Sequence, residues 1–303
     1  MRTKSSLIAS AVVGLSAAGF VQPVSAAKSA TAVRLQDAVK QTVASKTLSF
    51  GVSVKMDIQS GAQTMSGAIS GTGVSDIANK ATAFSMDMGS FMKSIAKQSG
   101  KPLPPQFEDP SALVLQTVSV GGKVWMNFPL LALATKTIST KPWILLDAAK
   151  LGLDAGDVAA SQGIDPTQGL DMMVGLASGA KPVGGEILDG VPTTKFTALL
   201  SSEVLTKNLS ASQAADVKKL MGPAQNLPAS VWVDEQNRVR RLDVTFTVAQ
   251  GTNKTVSTAS YTFSKFNEPV SIVPPAASQV STSGPLVDLI VKAAKAKKAA
   301  TAP

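Results

Sequence analysis

The stretch 230–248, SVWVDEQNRVRRLDVTFTV, predicts two β-strands joined by a polar turn. Apolar and polar residues alternate on both sides of the turn, as they do in strands with one covered face. Val231 and Val233 share one face of the first strand. The apolar face of the second strand consists of Leu242, Val244, Phe246 and Val248. The pattern predicts an antiparallel hairpin whose apolar face has to be covered.

The composition excludes several classes of function. The 303 residues are 44% hydrophobic with a formal charge of +9, which predicts a folded chain of one or at most two domains. The chain has no cysteine and no histidine. This absence excludes thiol nucleophiles, disulfides, Cys/His zinc sites and Ser-His-Asp triads. We therefore expect neither a metal nor another cofactor.

The N-terminus has the pattern of an export signal. Arg2 and Lys4 precede an apolar run over 7–21, and Val24, Ser25 and Ala26 provide the small residues of a cleavage site. We expect residues 1–26 to be a cleaved signal peptide and the mature protein to be exported. The apolar run is too short to span a membrane. The positive charge favours transient contact with an anionic membrane surface, whereas we expect no nucleic-acid partner and a monomer.

The remaining chain alternates helical and strand patterns. Leu35, Val39 and Val43 have helical spacing, and further helices are predicted from Pro166 and Ser210. Strict alternation predicts strands whose apolar faces include Val52, Val54, Met56 and Met86. The proline-rich stretch 97–110 predicts a surface loop. This order favours an α+β fold with one large curved antiparallel sheet and helices over its concave apolar face.

Three segments carry a resemblance to a known family: GGEILDGVPTTKF (184–196), VWVDEQNRVRRLDVTF (231–246) and YTFSKFNEPVSIVPPAASQV (261–280). They resemble the actinobacterial LppX/LprG-like envelope lipid-binding lipoproteins, which belong to the LolA-like fold superfamily. The resemblance covers roughly 31–280. It implies a half-barrel that holds acyl chains of lipids or lipoproteins in an apolar cavity. We accordingly expect one lipid-binding domain over 27–283 and a basic Ala/Lys-rich tail over 284–303.

The sequence departs from the family pattern in two places. Family members usually carry a lipid-modified cysteine at the mature N-terminus, where this chain has Ala26 and Ala27. We therefore expect a soluble protein without a lipid anchor. Asn237 and Asn267 stand where family members often have glycine. Asparagine also tolerates the left-handed backbone conformation, so we expect the turns to be kept.

Ten apolar positions are the candidate ligand contacts that would line the cavity. They are Val52, Val54, Met56, Met86, Val231, Val233, Leu242, Val244, Phe246 and Val248. The flexible methionine side chains suit a surface that adapts to an acyl chain. For any single methionine, ordinary core packing is the favoured interpretation.

Other classes of function have weaker support. Ser90 and Lys93 have the Ser-x-x-Lys spacing of some nucleophilic enzymes, but no supporting motif accompanies them. We expect a protein that is not an enzyme. The alternative to a lipid carrier is an envelope sensor or partner-binding protein of the RseB type, which uses the same fold. The tail, with lysines behind Leu286, Leu289 and Ile290, resembles a basic membrane-surface segment or a frayed end.

Overall fold

The computed structural model describes residues 30–61, 63–100, 102–103, 105–129, 141–147, 170, 180–201, 226–250, 253–282 and 288. The predicted signal peptide lies outside them, as does the tail apart from Asp288. The helices predicted from Pro166 and Ser210 also lie outside, except for Leu170, which is helical and fully buried. The described α-helices are α1 (Ala30–Val43) and α2 (Gly89–Ser99).

Twelve strands make up most of the described part of the chain. They are β1 (Thr47–Ser60), β2 (Gln63–Asp76), β3 (Ala81–Asp87), β4 (Val114–Val120), β5 (Lys123–Asn127), β6 (Trp143–Asp147), β7 (Lys181–Leu188), β8 (Val191–Ser201), β9 (Asn226–Asp234), β10 (Val239–Gln250), β11 (Asn253–Ser264) and β12 (Val280–Ser281). Short 3-10 turns occupy Pro105–Phe107, Pro110–Leu113 and Ala277–Gln279.

All twelve strands belong to one sheet, in the order β12-β6-β5-β4-β3-β2-β1-β11-β10-β9-β8-β7. Every pair is antiparallel except β12 with β6, which is parallel. The expectation of one large, open, curved antiparallel sheet is confirmed. The described residues are mostly β-strand, with few helices. The proportion of helix is therefore lower than the predicted α+β fold implies.

Three β-hairpin turns contain residues with positive φ. The β4–β5 hairpin turns at Gly121 and Gly122, with φ of 57° and 79°. The β7–β8 hairpin turns at Asp189 and Gly190, with φ of 49° and 78°. Asn237 adopts φ of 57° in the β9–β10 turn. Positive φ at these positions matches the right-handed twist of the adjoining strands, which fixes the pairing of each hairpin.

Glycines on β2 make room for aromatic rings on the apolar face. A Cβ atom on Gly71 would lie 2.5 Å from Cζ of Phe84, and one on Gly73 would meet the ring of Phe50. The rings of Phe50 and Phe84 stack with centroids 5.6 Å apart. These glycines interrupt the apolar alternation of β2, yet the rings restore a continuous apolar surface.

Helix α1 packs on the apolar face of the C-terminal strands. Leu35, Ala38 and Val39 are buried in the same hydrophobic cluster as the strand residues. Near its end, Thr42 Oγ1 accepts a hydrogen bond of 2.8 Å from the Val239 backbone N–H. Arg34, one turn before Ala38, stacks over the Phe196 ring at 5.3 Å. The helix therefore reaches from β10 to β8.

Helix α2 corrects the expectation of a loop from Lys97. The helix runs to Ser99 and ends at Gly100, which adopts the left-handed conformation that terminates many helices. The ring of Phe91 lies over Gly67, so the helix packs on β2. The sequence prediction of a loop holds only for the proline-rich part that follows.

The segment after β11 passes over the polar face of the sheet. Pro269 and Val270 lie near Ser49 and Val74, with which they line a cavity of about 280 Å³. The segment ends in β12, where Val280 is buried and its carbonyl accepts a hydrogen bond of 3.2 Å from Lys141 Nζ. Residues 265–281 thus connect the middle of the sheet to its β6 edge.

Candidate functional site

One row of paired residues crosses eight neighbouring strands. From β8 to β4 it consists of Phe196, Val231, Leu242, Tyr261, Val52, Gly71, Met86 and Leu115. Directly paired residues point to the same face of a sheet. The row therefore defines the apolar face.

The C-terminal part of this face is closed. We call Val231, Val233, Leu242 and Val244 the closed patch, because each is at most 1% exposed. They share a cluster with Leu35, Val39 and Leu170, so α1 contributes to their burial. Side chains buried to this degree form part of the structural core.

The neighbouring part of the face is only partly covered. We call its six partly exposed apolar side chains the open strip: Val52, Ile69, Met86, Leu115, Phe246 and Tyr261. They pack against the buried clusters on one side and retain accessible surface on the other. The strip is thus a surface to which an apolar ligand could bind without unfolding the core.

The predicted ligand contacts fall into both regions. Val52, Met86 and Phe246 belong to the open strip. The closed patch contains four of the others, while Val54 and Met56 are buried at 8% and 3% in a small cluster with Ala259. Val248 lies on β10 opposite Thr255, but its side chain is outside the described residues. Contact of these residues with a ligand stays a prediction, as does coverage of the strip by helices.

Sequence reasoning missed three members of the strip: Ile69, Leu115 and Tyr261. Tyr261 alternates with Ala259 and Phe263, so the strand pattern could have identified it. Leu115 had no such signal, because the next positions on its face of β4 are polar, beginning with Thr117.

Tyr261 is the one ionisable group of the strip. Burial among apolar side chains raises the pKa of its phenol from the ordinary value of 10.0. The phenol is therefore neutral at physiological pH. Its cross-strand partners, Leu242 and Val52, offer no polar atom from their side chains.

The opposite face contains a stacked arrangement around Trp232. Its Nε1 donates a 2.8 Å hydrogen bond to Glu186 Oε2, and Lys195 and Arg241 lie over its ring at 4.7 and 4.9 Å. Arg241 also donates two 2.8 Å hydrogen bonds to Asp243. This satisfied network explains how a tryptophan is 3% exposed on the polar face. Trp232 does not belong to the open strip.

A second polar cluster stabilises the β9–β10 turn. The buried Asp234 carboxylate accepts hydrogen bonds of 2.8 Å from Arg238 N, 3.0 Å from Arg238 Nε and 2.8 Å from Arg240 Nε. Burial, the largest influence, opposes ionisation of Asp234, but these hydrogen bonds together hold its pKa below the ordinary value. Both guanidinium groups stack over Phe266. We call this cluster of Asp234, Arg238, Arg240 and Phe266 the clamp, because it stabilises the β9–β10 turn.

An open groove of about 650 Å³ lies towards the polar face. Much of its lining comes from small or polar residues that alternate with those of the apolar face, including Gly51, Thr72, Ser85 and Gln116. Apolar side chains, among them Val74, Val118 and Trp143, also line the groove, so its character is mixed. An enclosed cavity on the apolar face stays a prediction.

The described residues contain no group of three or more Asp or Glu side chains placed to hold a metal ion. In the same part of the chain, no helix combines the length and hydropathy needed to cross a membrane. Ser90 and Lys93 lie exposed on α2.

Comparison with known proteins gives one family match and several similar structures. Residues 113–272 match the model of the LppX_LprAFG lipoprotein family. Among proteins of curated function, none matches the chain in sequence.

Two mycobacterial crystal structures cover most of the chain. LprF from Mycobacterium bovis is 11% identical, with a TM-score of 0.45 over 83% of this chain and 100% of its own. The lipoprotein LppX from Mycobacterium tuberculosis is 14% identical, with a TM-score of 0.42 over 80% and 98%. A LolA superfamily protein from Nitrosomonas europaea is 10% identical, with a TM-score of 0.28 over 80% and 96%.

Proposed function

Since this chain belongs to the LppX_LprAFG lipoprotein family, we propose that it is an exported, non-enzymatic lipid carrier. It binds acyl chains of lipids or lipidated molecules against the apolar face of its sheet. The observation that carries the proposal is the open strip, where apolar side chains continuous with the core remain partly exposed. A surface of this kind is stabilised when an apolar ligand displaces water from it.

The dimensions of the strip suit an acyl chain. The part of the cross-strand row that runs from Tyr261 to Leu115 crosses β11, β1, β2, β3 and β4. Neighbouring strands are about 4.8 Å apart, so the row is about 19 Å long. Between its ends, Gly71 lies beneath the Phe84 ring and adds no side chain of its own. An extended chain lying across the strands would contact apolar groups along this length.

The free energies involved favour reversible exchange of the bound lipid between protein and membrane. Burial of an acyl chain of about 16 carbons is worth roughly 0.8 kcal/mol per CH₂, or about 12 kcal/mol. Association costs about 4–15 kcal/mol, and extraction from a bilayer forfeits burial that the chain already has. The free energy of transfer of the lipid between membrane and protein is therefore close to zero. The carrier moves lipid towards whichever acceptor binds it better.

The mature protein would be a soluble monomer that begins at Ala27. The proposal rests on the cleavage pattern at Ala26 and on the absence of cysteine from the 303 residues. Intact-mass measurement of the exported protein should give the mass of residues 27–303 without an acyl group. A diacylglyceryl adduct or retention of residues 1–26 would contradict this part of the proposal.

Lipid binding is tested by filling the strip. Val52 lies in its centre, between Tyr261 and Gly71. A Val52→Trp variant should occupy space that the acyl chain uses. We expect uptake of a fluorescent acyl lipid by delipidated protein to fall about fivefold or more, which corresponds to burial of one or two CH₂ groups.

The matched control is Ser53→Trp on the same strand. Ser53 points to the opposite face, where its cross-strand partners are Ser70 and Ser260. This variant should bind lipid as the wild type does, with a similar melting temperature. Wild-type protein that carries no lipid after gentle purification and takes up none in vitro would contradict the carrier function. A partner-binding role would then be favoured.

A further inference from the structure

Tyr261 is chemically unlike its surroundings. It is the only tyrosine of the chain, and it lies on the apolar face of β11. The row that contains it has no other side chain with a hydroxyl, amide or charge. Phenylalanine would provide the same ring without a polar atom to desolvate.

The Tyr261 hydroxyl makes no hydrogen bond to any described residue. Its side chain packs against both hydrophobic clusters, and burial raises the pKa of the phenol. The Tyr261 side chain is only partly exposed, and a largely desolvated polar group without a hydrogen-bond partner costs free energy. The missing partner is therefore expected from outside the protein.

We propose that the Tyr261 hydroxyl donates a hydrogen bond to an ester carbonyl oxygen of the bound acyl lipid. The proposal rests on the proposed lipid-binding function and names the chemical class of the ligand. The contact would hold the polar end of the acyl chain at Tyr261 while its methylene groups lie along Val52, Met86 and Leu115.

An ester fits this position better than a free carboxylate. The phenol is a neutral donor, and the row around it contains no cation that would compensate an ionised fatty acid. Burial of an uncompensated carboxylate is strongly unfavourable, whereas an ester carbonyl requires one donor only. The site should therefore prefer acyl esters, such as diacylglycerol-based lipids, to free fatty acids.

The test compares a diacyl ester lipid with its dialkyl ether analogue of equal chain length, using delipidated wild type and Tyr261→Phe. Wild type should bind the ester about three- to tenfold more tightly, as expected for one neutral hydrogen bond. The Tyr261→Phe variant should lose this preference, with no loss of affinity for the ether. Because the chain has one tyrosine, ring-¹³C labelling gives one tyrosine spin system, whose signals should shift more with the ester than with the ether.

The outcomes separate this proposal from the function on which it rests. If wild type binds neither lipid, the carrier function fails. If wild type binds both equally, or Tyr261→Phe retains the ester preference, the carrier function stands and the role of Tyr261 is overturned. A lower melting temperature of ligand-free Tyr261→Phe would also overturn it, because the hydroxyl would then have a partner within the protein.

Discussion

The closed patch and the open strip are two regions of one apolar face, built from the same kinds of residue on neighbouring strands. Leu242 in the patch is 0% exposed, whereas Val52 in the same cross-strand row is partly exposed. The difference arises from coverage, since α1 and Leu170 pack into the cluster that contains the patch. Apolar alternation alone thus identifies a covered face but does not distinguish core from binding surface.

The largest expected effect is loss of the Leu242 side chain. A Leu242→Ala variant should lower the free energy of unfolding by about 2–5 kcal/mol, because it removes buried contacts and leaves a cavity. The same truncation in the strip, Met86→Ala, should cost only about 1 kcal/mol, since Met86 is already partly exposed. Urea unfolding of the two variants provides the measurement. Equal losses would mean that the two regions are one continuous core.

A medium effect is expected at the glycines of β2 that make room for aromatic rings on the apolar face. A Cβ atom on Gly73 would meet the Phe50 ring and lie 2.6 Å from the Ala83 carbonyl oxygen. Gly73→Ala should therefore reduce stability by about 1–3 kcal/mol through overpacking. In the control Gly185→Ala, the new atom would lie 3.7 Å from its nearest neighbour. That variant should unfold at the same urea concentration as wild type, or slightly higher. A neutral Gly73→Ala would show that the Phe50 ring can shift to accept the added methyl group.

The smallest effect concerns the clamp beside the closed patch. Hydrogen bonds from Arg238 and Arg240 lower the pKa of Asp234, so its contribution to stability is present above the pKa of the unfolded chain, near 3.8. The contribution is lost as pH falls through the lower folded value. Asp234→Asn should cost about 1–2 kcal/mol at pH 7, and the difference from wild type should shrink below about pH 4. Chemical unfolding between pH 2 and 7 measures it, and a difference independent of pH would contradict the electrostatic explanation.

Much of the sheet could be predicted from the sequence, because local signals determine it. The turns at Gly121, Asp189 and Asn237 require positive φ, and alternation in β1, β9 and β10 identifies their buried faces. Helix α2 was missed because its residues carry no strong start signal: its N-cap is Met88, which makes no side-chain capping bond. Strand β2 has a weak apolar alternation in the sequence, since its glycines become apolar surface only through rings contributed by other strands.

The candidate site was less predictable than the fold. Val231 and Val52 have the same pattern in the sequence, but their exposure depends on where α1 packs, which is a long-range property. Tyr261 could be placed on the apolar face by alternation. Its lack of a hydrogen-bond partner among the described residues depends on the neighbouring strands, which the local sequence does not identify.

The short strand β12 has a consequence for the order in which the chain can fold. Thr47 and Glu268, which join the two halves of the sheet by a hydrogen bond, are 221 residues apart, and Lys141 and Val280 are 139 apart. Contacts between such distant residues form slowly. During synthesis the N-terminal strands therefore emerge long before β11 and β12 can pair with them. Until β11 emerges, the edges of β1 and β6 are both open to pairing with other chains, so nascent molecules should be most prone to aggregation just before residues 253–264 emerge.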